Sequence, residues 1–146
     1  MTELDISALA AQLLVASRDA IVIADPAGSI VYWNDGAANM FGYPPDEAVG
    51  ASLELIIPPG LRARHREGYA NTMRTGRTSY AERVLAVPAV HRDGHRLSIE
   101  FRVSLLGADP DHPAAIGAVI RDVTERWEQD RRLRARLAEL ENTQRG

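Results

Sequence analysis

The chain contains no cysteine. That excludes disulfides, thiolate metal sites, cysteine nucleophiles and flavin–cysteinyl photochemistry. No apolar run approaches the ~20 residues needed to span a bilayer. The opening stretch, MTELDISALAAQLL, lacks the basic region of a signal peptide, so a soluble cytoplasmic domain is expected. No excess of positive charge exists either. The net charge is −3, which argues against a nucleic-acid surface as the main business of the chain. Also missing are a Gly-x-Ser-x-Gly elbow, a phosphate loop and a His-Glu-x-x-His run, so an enzyme is not expected.

What is present is 146 residues, enough for one domain with a core and terminal helices. Over roughly 5–17, Ile6, Leu9, Ala10 and Leu13 share one face at helical spacing, with Asp5 or Ser7 able to cap it. AIVIADPAGSIVYWN reads as two short strands about a Pro-Ala-Gly-Ser turn. Short helical pieces broken by glycine and proline follow, up to Pro59.

From Leu61 to Thr75 the pattern is helical again, with Gly76 as a stop. Leu61, His65, Tyr69 and Met73 fall on one stripe, while Arg62, Arg64 and Arg66 point elsewhere. Further on, Leu97, Ile99, Phe101, Val103 and Leu105 alternate with polar residues, the period of a half-buried strand. An Arg-Asp-Gly turn at 92–94 joins that strand to RVLAVPAV as a hairpin. Pro88 marks a bulge or an unpaired edge there. AIGAVIRDV forms a last strand and runs into a charged helix in which Leu133, Leu137 and Leu140 repeat like a short coiled-coil seam. Val123 and Trp127 begin that helix nearer the core, and Asp130 interrupts the seam.

The order predicts an α+β fold, a five-stranded antiparallel sheet with helices on one face. Three segments are expected: an N-terminal amphipathic helix at 1–17, a central domain at 18–124 and a C-terminal helix at 125–146. The uncovered sheet face and the two amphipathic ends suggest a homodimer, with Ile6, Leu9, Leu13, Leu133, Leu137 and Leu140 at its interface.

DAIVIADPAGSIVYWNDGAANMFGYPPDEAVG, with Asn34 and its FGY, resembles a PAS domain. HRDGHRLSIEF resembles the PAS hairpin, and GAVIRDVTER resembles the end of its last strand. The resemblance covers roughly residues 14–124. It implies a cytoplasmic, non-enzymatic sensory or dimerisation module joined by helices to an output domain or partner signalling protein. Asp122 and Thr124 stand where such domains pass core changes to the exit helix.

IPPGLRARH further resembles the haem-binding oxygen-sensor subgroup, in which a histidine seven residues after the proline is the axial iron ligand. His65 stands seven after Pro58. This implies haem b on His65, with Leu61, Tyr69, Met73, Tyr80, Leu85, Phe101 and Val103 around it. The place of the subgroup's distal arginine falls on Leu85, unless a slip near Pro88 brings in Arg83. With Leu85 there, carbon monoxide, nitric oxide or redox sensing is favoured over stable oxygenation. The alternative is a ligand-free interaction module whose core those side chains fill.

The remaining histidines, His91, His95 and His112, read as solvated turns without carboxylate partners. Trp33 and Trp127 read as packing residues. Glu100 lies on a wet strand face.

Overall fold

The computed structural model describes residues 3–78 and 85–145. Helix α1 (Ile6–Ala16) precedes strands β1 (Ala20–Ala24) and β2 (Ile30–Trp33). Two short helices follow, α2 (Asp35–Phe41) and α3 (Pro45–Ala48), then two 3-10 turns, Leu53–Ile56 and Pro59–Leu61. Helix α4 (Arg62–Thr75) leads to β3 (Leu85–Val90), β4 (Arg96–Leu106) and β5 (Ala115–Asp122), and α5 (Thr124–Arg145) leaves the domain.

The five strands make one antiparallel sheet in the order β2-β1-β5-β4-β3. The first and last strands of the chain therefore lie side by side at its middle, which places both terminal helices beside the core. The register of β3 on β4 is unbroken from Leu85 opposite Phe101 to Val90 opposite Arg96. Pro88 thus sits in an edge strand, as one of the two sequence readings required, and no bulge or slip occurs at it. The irregularity in the sheet lies instead between Ile23 and Ala24 of β1.

The core forms where α2, α3 and the first 3-10 turn cover the sheet. Val22, Ile30, Trp33, Phe41, Ile56, Leu97, Ile99 and Ile120 are buried there. Burial of side chains of this size contributes about 1.5–3 kcal/mol each. Trp33 tilts against Phe41 with ring centroids 5.6 Å apart, and its Nε1–H donates to the Tyr43 carbonyl at 2.9 Å. It is a packing residue.

Trp127 differs from expectation: Val123 is buried, but Trp127, one turn on, is 48% exposed under the Arg131 guanidinium.

Asn34 is the one buried polar residue among those described, 2% exposed. Its Oδ1 caps α2 by accepting from Ala37 N–H (2.9 Å) and also accepts from Ile21 N–H (2.8 Å). Its Nδ2 donates to the carbonyls of Leu14 (2.7 Å) and Asp19 (3.1 Å). One amide so joins the end of α1, the start of β1 and the start of α2. Gly36 in the first turn of α2 permits this approach, since a Cβ there would lie 2.3 Å from the Asp19 carbonyl oxygen.

Helix α1 starts at Asp5, whose carboxylate accepts from Ala8 N–H at 3.1 Å. Beyond its cap and its Asn34 tie it buries no residue, and Leu13 is 73% exposed.

Candidate functional site

Two places carry the residues singled out from the sequence: helix α4, and the junction of β4, β5 and α5.

Helix α4 is rich in arginine and other good helix formers. It ends at Gly76, whose left-handed φ of 69° lets its N–H reach the Thr72 carbonyl at 2.9 Å. Its N-terminal end is fixed by Arg62, whose Nε–H is shared between the carbonyls of Glu54 (3.1 Å) and Ile57 (3.0 Å). Arg66 adds an ion pair to the Glu54 carboxylate at 2.6 Å. In mid-helix the Tyr69 hydroxyl donates to the Asp25 backbone carbonyl, in the β1–β2 turn, at 2.5 Å.

His65 sits between these two ties, its ring 5.8 Å from that of Tyr69 and tilted by 33°. Burial holds the imidazole below its ordinary pKa, opposed by the Glu54 carboxylate. Burial, then the Asp25 carboxylate, pushes the Tyr69 phenol well above its ordinary value.

His65, Tyr69 and Met73 form the half-buried stripe of α4, and Arg64 and Arg66 are exposed. Arg62 departs from the expected pattern: it is half-buried, because two backbone acceptors wait for it inside. Leu61 departs too. It lies in the 3-10 turn before the helix and is 36% exposed. No side chain of α4 is fully buried.

On β4, Val103 is buried and Phe101 half-buried against the core. Leu85 pairs in register with Phe101, so the unbroken β3–β4 ladder offers no slip that would exchange it for Arg83. Tyr80 and Arg83 lie outside the described residues.

At the second place, the strand ladder between β4 and β5 is continued by side chain and loop. Val123 N–H donates to the Ser98 carbonyl at 2.8 Å, and Ser98 N–H donates to the Thr124 Oγ1 at 2.9 Å. The Thr124 hydroxyl in turn donates to Asp122 Oδ1 at 2.5 Å, and Thr124 N–H donates to the same oxygen at 2.9 Å. Asp122 thereby orients Thr124, and Thr124 bonds β4. Glu100, on the same strand, ion-pairs with Arg126 in the first turns of α5.

The expectation that the other histidines lack carboxylates is corrected. His112 pairs with Asp109 at 2.9 Å, and His91 and His95 both meet Asp93. In the sequence Asn34 stands out only as part of a family pattern. Its bonds to Leu14 and Asp19 join positions 20 and 15 residues apart, where no periodicity signals them.

Residues 14–128 match the PAS fold family, and the chain belongs to it. An uncharacterised protein of Azorhizobium caulinodans is 33% identical over 86% of this chain, which spans 17% of that protein. The sensor histidine kinase TmoS of Ectopseudomonas mendocina is 24% identical over 85% of this chain, which spans 12% of it. The crystal structure of a PAS domain from a Colwellia psychrerythraea protein superposes with a TM-score of 0.71 at 23% identity, covering 83% of this chain and 99% of that one. The chain thus spans less than a fifth of the curated relatives it matches. It is a PAS sensory domain related to a sensor kinase. Among the described residues, no helix is long and apolar enough to cross a membrane.

Proposed function

We propose that this PAS domain is the non-enzymatic, cytoplasmic sensory unit of a larger signalling protein, taking a flat apolar ligand between α4 and the inner face of β4. We propose haem b as that ligand, with the His65 imidazole as its axial donor. The observation that carries this reading is the state of α4. It is a helix held by polar ties at Arg62 and Tyr69, with none of its own side chains fully buried and His65 between the ties.

The donor chemistry fits. Burial favours the neutral imidazole, the form with a lone pair to give to iron. Met73, Phe101 and Val103 would supply the apolar wall, with Leu85 beside Phe101 in register. Leu61 would close only the solvent edge. Haem, when bound, supplies an iron that takes a small diatomic gas or changes its redox state. The chain's own part is to hold the axial donor neutral and keep water from that side.

A change in packing on β4 reaches α5 through Ser98, which both Val123 and Thr124 grip. Asp122 keeps the Thr124 hydroxyl aimed there. In the full protein α5 would pass this to an output domain, in a homodimer built on Ile6, Leu9, Leu13, Leu133, Leu137 and Leu140. The exposure of those six also favours a second reading, a ligand-free dimerisation module.

The experiment is an absorption spectrum of the protein from haem-replete cells, and after added haemin, beside the His65→Ala variant. A Soret band that the variant loses is expected. A colourless protein that refuses haemin overturns the haem proposal and leaves the dimerisation module.

A further inference from the structure

The hairpin turn joining β3 to β4, His91-Arg92-Asp93-Gly94-His95, is built and anchored in a way its role as a turn does not require. His91 N–H donates to the His95 carbonyl and Gly94 N–H to the His91 carbonyl, both at 2.9 Å, which closes the turn. The two imidazoles stack, centroids 4.5 Å apart and 21° from parallel. Asp93 lies between their Nδ1 atoms: its Oδ1 is 3.2 Å from His91 Nδ1 and in close hydrogen-bond contact with His95 Nδ1.

The turn is also fixed from behind. The Cε1–Nε2 edge of His91 rests on Gly42, which ends α2 with a left-handed φ of 84°. A Cβ at Gly42 would lie 2.5 Å from Cε1 and 2.7 Å from Nε2. Only glycine admits the ring, and the seated ring presents Nδ1 to Asp93. Arg92 N–H donates to the Phe41 carbonyl at 2.9 Å. Its guanidinium pairs with Glu47 at 3.0 Å and lies over the Tyr43 ring, so its positive charge is spent away from the carboxylate.

We propose that His91, Asp93 and His95 form a three-ligand site for a divalent transition-metal ion, Zn²⁺ in the first instance. Their ligand atoms lie within 4.8 Å of one another, the one such group of three among the described residues. Two imidazoles and one carboxylate make a borderline donor set that suits Zn²⁺, Ni²⁺ or Cu²⁺ and disfavours Mg²⁺ and Ca²⁺, which ask for oxygen alone. Ligands about 2.0–2.2 Å from a zinc ion stand roughly 3 Å apart, the spacing already present between His91 and Asp93.

Coordination through His95 Nδ1 uses the tautomer that carries its proton on Nε2, and the Asp93 carboxylate then faces the ion instead of that ring N–H. Binding also takes the His91 lone pair that now accepts from Asp93 N–H at 3.1 Å, and that exposed N–H passes to water. The remaining coordination positions face solvent and hold water. The ion sits three residues before Ser98, at the start of the strand that grips the exit helix. Metal is thereby a second input to that strand, independent of any ligand at α4.

The test is calorimetric titration of the tag-free chain with ZnCl₂ and NiCl₂, with MgCl₂ as control. Expected are one Zn²⁺ per chain, no heat from Mg²⁺, and retention in His65→Ala and His112→Ala. His95→Ala and Asp93→Asn change exposed side chains, so they keep the fold by circular dichroism. Each should weaken Zn²⁺ by about 10-fold or more, the loss that even outer-shell substitutions produce. No saturable binding below millimolar Zn²⁺ overturns the proposal. So does binding that His95→Ala leaves unchanged.

Discussion

The side-chain amide of Asn34 donates to the backbone carbonyl of Leu14 at 2.7 Å, across 20 residues, while its oxygen caps the helix that begins at the next residue. The N-terminal helix, which buries nothing of its own, is thus tied to the domain through one buried polar side chain. Asn34→Ala removes the cap and leaves Ile21 N–H without its acceptor. A loss of about 2–4 kcal/mol is expected, as a lower urea midpoint at unchanged slope. Asn34→Asp keeps the two accepted bonds but turns a charge toward the Leu14 and Asp19 carbonyls. It should speed amide exchange at the end of α1 while α2 stays protected. Equal protection of α1 in both variants would show that Asn34 is not its tether.

Thr124→Val deletes the hydroxyl between Ser98 N–H and Asp122. Stability should fall by about 1–2 kcal/mol, and Ser98 amide exchange should quicken. Thr124→Ser retains the hydroxyl and should retain both. Unchanged Ser98 exchange in the valine variant would remove this residue from the proposed relay.

Tyr69 gives the fold an alkaline limit. Its phenol is held above the ordinary value, so the folded state binds the proton more tightly than the unfolded chain. The contribution is complete below about pH 10 and is lost as pH rises further, because the unfolded chain ionises first. Among the chain's 4 tyrosines, a late phenolate component should appear only as α4 leaves the β1–β2 turn. Tyr69→Phe should abolish that component in a spectrophotometric titration. A variant that lost only a component titrating near pH 10 would contradict the assignment.

Leu133 and Leu137 are 60% and 59% exposed on α5. The double change Leu133→Glu and Leu137→Glu should convert a dimer to a monomer in sedimentation equilibrium, with the sheet signal of circular dichroism intact. A wild-type chain that sediments as a monomer at high micromolar concentration would refute the dimer.

The strands were legible because β4 alternates over eleven residues, and the His65–Tyr69–Met73 stripe because helical spacing repeats. What periodicity does not carry is the position of a backbone acceptor. Arg62 reads as a surface cation until the Glu54 and Ile57 carbonyls are seen beneath it. Tyr69 reads as a pocket residue until its hydroxyl is found on the Asp25 carbonyl, 44 residues away. Within HRDGH, Asp93 reads as a turn former. Only the seating of His91 on Gly42 shows that the turn gathers three donors at one point.

The sheet has two poor margins. On one side β2 is four residues long and faces an irregular stretch of β1. On the other, Pro88 deprives β3 of an N–H in the middle of its run. A passing strand finds no continuous row of donors to copy on either side. Copies of this domain are therefore steered away from open-ended sheet growth and left with their helices and sheet faces for contact. A protein with so much apolar surface on its terminal helices can then stop at a finite assembly, where an unguarded sheet would polymerise.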